Sequence, residues 1–132
     1  MIKNDFSAAQ LLEAVKSNIV TFEDFVNEMR ADVADERLHA HIDKMLLKIY
    51  VQWREGSYIS KMQACRMIPA DHIDTCKRYV ARAQELNLVD FVPDPKDGRR
   101  TNVVPTDTLI QYVEERARKS LSSAHRILSM KH

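Results

Sequence analysis

Two short stretches of the sequence, near residues 78–82 and 96–100, carry basic side chains that could bind an anion. The first stretch carries Arg78 and Arg82, and the second carries Lys96, Arg99 and Arg100. Ammonium and guanidinium groups bind phosphates, and a guanidinium also donates paired hydrogen bonds to a guanine edge. The chemistry that these residues offer is therefore the binding of a polyanion rather than the making or breaking of bonds.

The sequence does not contain the residue patterns of common catalytic, nucleotide-binding or metal-binding sites. CxxC, HExxH, GxSxG and glycine-rich phosphate loops are all missing. His39 and His41 would point about 200° apart on a helix, because each helical residue turns the chain by about 100°. Cys65 and Cys76 allow a redox switch, but small buried side chains are the favoured interpretation. We therefore predict a protein that is not an enzyme and needs no metal or cofactor.

Length and composition indicate a single globular domain. The chain has 132 residues, of which 45% are hydrophobic and 30% are charged, and it contains only two glycines. It has no apolar run near the roughly 20 residues of a membrane span and no signal-peptide pattern, so we expect a cytoplasmic protein without membrane contact. Residues 1–35 carry three Lys/Arg and seven Asp/Glu, whereas residues 36–132 carry seventeen and twelve. The basic remainder suits an anionic partner such as DNA.

Two amphipathic helices are predicted in the first part of the chain. Ser7 and Gln10 form a capping-box pattern, and apolar residues follow at steps of three and four: Leu12, Val15, Ile19, Phe22, Val26, Met29 and Val33. Thr21 and Asp24 could start a second segment, so one helix or two remain open. The next helix, from about 35 to 54, has an apolar face of Leu38, Ile42, Met45, Leu46, Ile49, Tyr50 and Trp53.

Shorter elements follow in the middle of the chain. Ser60 and Gln63 form another capping box, which opens a short helix that ends by Pro69. A longer helix is predicted at about 70–86, and Asn87 suits a left-handed position after it. We expect its inward face to hold Ile73, Cys76, Val80, Ala83 and Leu86, and its outward face to hold Thr75, Arg78, Tyr79 and Arg82.

A β-hairpin and a long helix complete the predicted elements. Residues 89–92 and 101–104 are typical of strands, and the turn between them is rich in proline, aspartate and basic residues. Thr106 caps a final helix at about 107–129. Its expected apolar face is Ile110, Val113, Ala117, Ala124 and Ile127, with Leu121 and Leu128 beside it.

This element order predicts a mainly α fold with a small β-hairpin wing, which is a winged helix-turn-helix. Residues 36–106 would form the winged helix-turn-helix within a single domain of residues 1–132. A winged helix needs only its central helices for a core. The heptad-like seams of residues 1–35 and 107–132 therefore indicate helical dimerisation segments. An α-helix fits the major groove of DNA, and a hairpin beside it reaches the adjacent minor groove.

Three stretches of the chain resemble the MarR family of winged-helix transcriptional regulators. They are Leu86–Val89, Asp94–Arg100 with its D-x-R pattern, and Val103–Thr106. The resemblance implies a DNA-binding homodimer that recognises a palindromic site and controls transcription. In such a protein Arg99 would approach the minor groove, and Asp97 would brace it by a salt bridge across the hairpin. It also implies that a small-molecule effector, if one exists, binds in a cleft near Tyr50 and Trp53.

The recognition helix at about 70–86 and the wing at about 93–100 would thus contact double-stranded DNA. The predicted DNA-binding residues are Ser60, Lys61, His72, Thr75, Arg78, Tyr79, Arg82, Lys96, Asp97, Arg99 and Arg100.

Three features depart from the family pattern. Asn87 stands where glycine is usual, and Asp107-Thr108 follows Thr106 where the family often has glycine. Asp71 and Asp74 suit the start of a helix but would repel phosphates, unless Arg78 pairs with Asp74 at i+4. These acids favour the alternative function, a winged-helix module that binds a protein instead of a DNA sequence.

Overall fold

A computed structural model describes residues 6–16 and 36–130, with side chains described for 6–16 and 41–126. The predicted apolar positions from Ile19 to Val33, and the question of one helix or two, lie outside the described residues. So do the side chains of Leu38, Ile127 and Leu128.

The described residues form five helices and three strands. In chain order they are α1 (Ala8–Lys16), α2 (Glu36–Arg54), β1 (Ile59–Ser60), α3 (Lys61–Arg66), α4 (Ile73–Glu85), β2 (Val89–Pro93), β3 (Thr101–Pro105) and α5 (Asp107–Met130). The strands form one antiparallel sheet in the order β1-β3-β2. The predicted fold class, a mainly helical winged helix-turn-helix, is confirmed.

Local backbone chemistry sets the ends of these helices. Ser60 accepts a hydrogen bond from the backbone of Gln63, whose side chain accepts one from the backbone of Ser60. Ser7 and Gln10 form the same reciprocal pair before α1. Asn87 has a φ of 60°, the left-handed conformation that lets the chain leave α4 for the sheet. The predicted caps and the predicted left-handed residue are confirmed.

The sheet contains the predicted hairpin and one strand that was not predicted. Phe91 in β2 lies opposite Val103 in β3, as expected for a hairpin with its turn at 94–100. On the other side of β3, Ile59 of β1 pairs with Val103. This third strand comes just before α3, so it fixes the wing and the helix-turn-helix to one sheet.

The core is built around α2. Its buried residues are Ile42, Met45, Leu46, Ile49 and Tyr50, none of them more than 1% exposed. Residues of α1, α5 and the sheet pack into the same cluster, including Leu11, Val15, Val103, Leu109, Val113 and Ala117. The described part of the chain therefore shares one hydrophobic core, to which the helix-turn-helix and the wing are both attached.

Three predicted faces are wrong in detail. Ile73, predicted inward, is 49% exposed, and Tyr79, predicted outward, is only 7% exposed. Ala124 is exposed rather than part of the apolar face of α5, and α1 buries Leu11 more deeply than Leu12. Ile73 is the first residue of α4, where no preceding turn covers it. The core-facing side of α4 is instead centred on Cys76, Tyr79, Val80 and Ala83.

Within the described residues, no helix is both long enough and apolar enough to cross a lipid bilayer.

Candidate nucleic-acid interface

A groove of about 670 Å³ runs between α3, α4 and the wing. Five cationic side chains line it, together with one acidic side chain, Asp74. The cations are Lys61, Lys77, Arg78, Arg99 and Arg100. Because clefts lined by one sign of charge concentrate the electric field, the charge of this groove is suited to an extended anion.

The helical repeat of α4 sets which of its residues enter the groove. Asp74, Lys77, Arg78 and Ala81 follow at steps of three and four and lie on one face. The opposite face is held in the core, as described above. Arg82 lies outside the groove and pairs with Glu85 at 3.2 Å. The helix therefore presents a short ridge of charged and small side chains while its other face anchors it.

Tyr79 and Ser60 are predicted contact residues with little surface of their own. Burial of Tyr79 removes most of its ring from solvent, and the Arg78 guanidinium lies 6.0 Å from the ring centroid. Ser60 is 9% exposed, and its hydroxyl oxygen already accepts the backbone hydrogen bond from Gln63. Both residues support the interface from below instead of projecting from it.

His72, Thr75 and Lys61 stay at or near the surface. His72 is exposed at the N-cap of α4 and its side chain makes no capping hydrogen bond there. Thr75 is partly buried one turn into the helix. The Lys61 ammonium sits 4.4 Å from the centroid of the Phe91 ring, so a cation–π contact ties the start of α3 to β2.

Asp94 organises the turn of the wing. Its Oδ1 accepts hydrogen bonds from the backbone N–H groups of Lys96 (2.8 Å) and Asp97 (3.0 Å). Its Oδ2 accepts a hydrogen bond from the buried side chain of Asn102 at 2.9 Å. The Asp94 backbone N–H also donates to the Arg100 carbonyl at 2.8 Å. One carboxylate thus closes the loop and joins it to β3.

The same hydrogen bonds change the acidity of Asp94. The hydrogen bond from Asn102, and then those from the backbone, stabilise the carboxylate and lower the pKa of Asp94 from its ordinary value of 3.8. Asp94 therefore stays ionised at neutral pH and keeps the turn ordered.

The two arginines of the wing differ in how firmly they are held. The Arg99 side chain is 97% exposed, and its Nε lies 3.7 Å from Asp97 Oδ1. This pair lies within the turn, whereas the resemblance implied a salt bridge across the hairpin. Arg100 donates to the side-chain oxygen of Gln63 at 3.0 Å and so connects the wing to α3. Arg99 therefore extends into solvent, whereas Arg100 is held by its hydrogen bond to α3.

Sequence reasoning missed three residues of this interface. Lys77 lines the groove one step before Arg78, and Met62 lines it from α3 with 43% of its surface exposed. Gln63 was recognised as a cap residue but not as the partner of Arg100. The i+3 spacing from Asp74 to Lys77 could have predicted that Lys77 lies on this face of α4. No local sequence pattern predicts the contact between Gln63 and Arg100.

The ion pair considered between Asp74 and Arg78 is not formed. Within the described residues, no hydrogen bond and no ion pair within 4.0 Å engages the Asp74 carboxylate. Its charge therefore faces the groove without a protein partner.

Cys65 and Cys76 are both free thiols and both buried. Cys76 donates to the Ile68 carbonyl at 3.1 Å, and desolvation raises the pKa of the Cys65 thiol. Buried, protonated thiols are inert. The interpretation of these cysteines as small core side chains agrees with this placement.

The region expected to bind an effector holds a polar cluster between α2 and α5. The Tyr50 hydroxyl donates to Glu114 Oε2 at 2.7 Å, and Arg54 Nε donates to the same oxygen at 3.1 Å. The Arg54 guanidinium also lies 4.6 Å from the Trp53 ring centroid. Tyr50 is fully buried and Trp53 is partly exposed, so Trp53 is the more accessible of the two expected contacts.

Comparison with known proteins gives a match of fold. No protein-family model matches the sequence, and no curated protein sequence matches it either. Among solved structures, S. aureus MepR bound to ethidium bromide is 13% identical, with a TM-score of 0.54, and the match covers 98% of this chain and 86% of that one. A MepR mutant bound to an oligodeoxyribonucleotide is 14% identical, with a TM-score of 0.50 and coverage of 97% and 85%.

A third MepR structure, of the same mutant as the oligodeoxyribonucleotide complex and from a multidrug-resistant clinical isolate of S. aureus, is 12% identical, with a TM-score of 0.52 and coverage of 97% and 85%. MepR is a MarR-family protein. The match spans nearly the whole chain and includes the helix-turn-helix, the wing and the flanking helices. The chain has the winged-helix fold of MarR-type proteins.

Proposed function

We propose that the chain is a sequence-specific DNA-binding transcriptional regulator that binds a palindromic site as a homodimer. In this proposal α4 enters the major groove and the wing, at about residues 93–100, lies at the adjacent minor groove. The observation that carries the proposal is the cationic groove between α4 and the wing, with Arg99 extended from its edge. A MepR structure that contains an oligodeoxyribonucleotide supports the same use of the fold.

Physical chemistry gives each part of the groove a task. Lys77 and Arg78 lie on the face of α4 that a major groove would enclose, where a guanidinium reads guanine or binds phosphate. Arg99 stands where a narrow minor groove has its most negative potential. Asp94 and Gln63 hold the wing so that less conformational freedom is lost when DNA binds.

The homodimer and the effector are further parts of the proposal. A palindromic site requires two copies of α4 related by twofold symmetry. Val15, Val113 and Ala117 of the predicted seams are buried in the chain's own core, so pairing would use the parts of residues 1–35 and 107–132 outside that core. An effector would act at the junction of α2 and α5 near Trp53. A MepR structure with bound ethidium supports ligand binding on this fold.

The first experiment is a selection of bound sequences from random duplex DNA at physiological salt. An enriched inverted repeat supports a dimeric, sequence-specific regulator. Affinity should also fall steeply with salt, with a log–log slope of about −0.9 per phosphate neutralised. If the folded protein enriches no sequence, the proposed function is wrong.

Arg99→Ala tests the role of the wing. We expect it to weaken binding to the selected site by roughly 5- to 150-fold, because an arginine contact is lost from the DNA. Lys48→Ala is the matched control, since it removes the same charge from an exposed position of α2 outside both the groove and the proposed pairing segments. Equal affinity of the Arg99→Ala variant and the wild type would overturn the wing assignment.

A second function, binding of a protein partner by the same surface, is favoured by one observation. Tyr58, Met62 and Ile73 are large apolar side chains that are 45%, 43% and 49% exposed, and Asp74 is acidic. A stable hetero-complex in a pull-down, together with no sequence enriched from random DNA, would support this alternative.

A further inference from the structure

Among the side chains that the structure describes, Asp74 is the one acidic group that lines the cationic groove. It is the second residue of α4, and residues at the N-terminal end of a recognition helix are those that reach base edges. Lys77 and Arg78 follow it by one helical turn on the same face. If DNA occupies the groove, the Asp74 carboxylate is therefore brought to the bases and not to solvent.

The carboxylate is free to accept hydrogen bonds from a ligand. As noted above, no hydrogen bond or close ion pair among the described residues engages it. Of the two cations that follow it by one turn, Arg78 has its guanidinium 6.0 Å from the Tyr79 ring centroid. A carboxylate accepts hydrogen bonds and donates none, so only a donor can satisfy it.

In the major groove, cytosine is the base that presents such a donor most favourably. Cytosine presents its N4 amino group there without an acceptor on the same base, whereas guanine and thymine present acceptors. Adenine presents an amino group beside the N7 acceptor, which repels a carboxylate. An aspartate at this place therefore selects cytosine and disfavours the other bases.

We propose that Asp74 is a specificity-determining residue that accepts a hydrogen bond from the N4 amino group of a cytosine in each half-site. Lys77 and Arg78 offset the repulsion between Asp74 and nearby phosphates. The Asp74 carboxylate thus weakens binding to non-specific DNA and also favours one DNA sequence. The inference rests on the proposed function, because it requires a DNA site.

The test compares wild type and Asp74→Ala by selection from random duplex DNA and by direct binding. With Asp74→Ala we expect one cytosine to disappear from each half-site of the selected motif. Affinity for the wild-type motif should fall roughly 5- to 150-fold, which is the usual worth of a good base contact. Affinity for random duplex should rise, because a negative charge has been removed from the groove.

A base analogue isolates the hydrogen bond itself. Replacing that cytosine by pyrimidin-2-one removes the 4-amino group, and this change should weaken binding by the wild type but not further weaken binding by Asp74→Ala. Asp71→Ala is the matched control, because Asp71 is exposed just before α4 and does not line the groove. It should leave the selected motif unchanged.

Two outcomes would contradict the proposal in distinguishable ways. If Asp74→Ala binds the selected and random duplexes more tightly by the same factor, with the motif unchanged, Asp74 only repels phosphate and this inference alone is wrong. If the wild type enriches no motif, the proposed function is wrong and this inference is wrong with it.

Discussion

The Tyr50 phenol illustrates how burial fixes the state of a single group. Burial, together with its contact to Glu114, raises the pKa of Tyr50 to about 12, although the Arg54 hydrogen bond opposes the shift. Because the folded-state pKa lies above the ordinary value of 10, the stabilisation is complete below pH 10 and is lost as the pH rises through about 12.

An alkaline titration should therefore show a late step that belongs to Tyr50. We expect one tyrosinate absorbance step near pH 12, and we expect it to be missing in Tyr50→Phe. Tyr58→Phe is the control, because Tyr58 is 45% exposed and its loss should leave the late step unchanged. A late step that survives in Tyr50→Phe would assign it to another tyrosine.

Two apolar residues of α4 that were both predicted to face inward should differ in how much their truncation destabilises the fold. Val80 is fully buried, so Val80→Ala should lower the free energy of unfolding by about 2 kcal/mol through lost burial and a cavity. Ile73 is 49% exposed, so Ile73→Ala should cost less than about 1 kcal/mol. Urea unfolding of both variants measures the difference, and equal losses would place Ile73 in the core.

Among the elements, helix ends could be predicted from the sequence because caps are local. Ser60 and Gln63 satisfy each other's backbone three residues apart, and this spacing is visible in one chain. The fold class and the hairpin followed from the same local signals. Strand β1 was missed because it has two residues and exists only through its pairing with β3.

The candidate site could be predicted only as far as residue type and helix phase allow. Arg78 and Arg99 were identified as surface cations because of charge and turn chemistry, and both are exposed. Tyr79 was placed outward because the predicted inward face, an apolar series from Ile73 to Leu86, did not include it. Its burial depends on the residues that α4 packs against, and those come from distant parts of the chain.

The wing should lose its order in acid. The pKa of Asp94 is lowered in the folded state, so the stabilisation from its carboxylate is present above the ordinary value of 3.8 and is lost as the pH falls through the lower folded-state pKa. Below about pH 4, we expect the free energy of unfolding to fall less steeply with decreasing pH in Asp94→Asn than in the wild type. Urea unfolding between pH 2.5 and pH 6 measures this slope.

The same substitution should affect DNA binding less than Arg99→Ala does. Asp94→Asn would act only through the wing turn, which would then have to become ordered when DNA binds. An ordering cost of this kind typically lowers the affinity by about 2- to 10-fold. A loss as large as that of Arg99→Ala at neutral pH would mean that Asp94 contributes more than the shape of the turn.

At the scale of the whole molecule, the distribution of charge matters more than its sum. The net charge is +1, yet the groove between α4 and the wing gathers five cations around one acid. One core connects this groove to α2 and α5, through which Tyr50, Arg54 and Glu114 join the two helices. The α2–α5 junction and the groove are therefore attached to the same core.

The proposed homodimer sets the spacing between the two half-sites of its DNA site. Two copies of α4 that read successive major grooves on one face of DNA require half-sites about 10 base pairs apart, centre to centre. Inserting five base pairs at the centre of the selected site rotates one half-site by about half a turn. Affinity should then fall towards that of a single half-site, and inserting ten should restore part of it. Equal affinity for all three spacings would mean that each copy binds DNA alone.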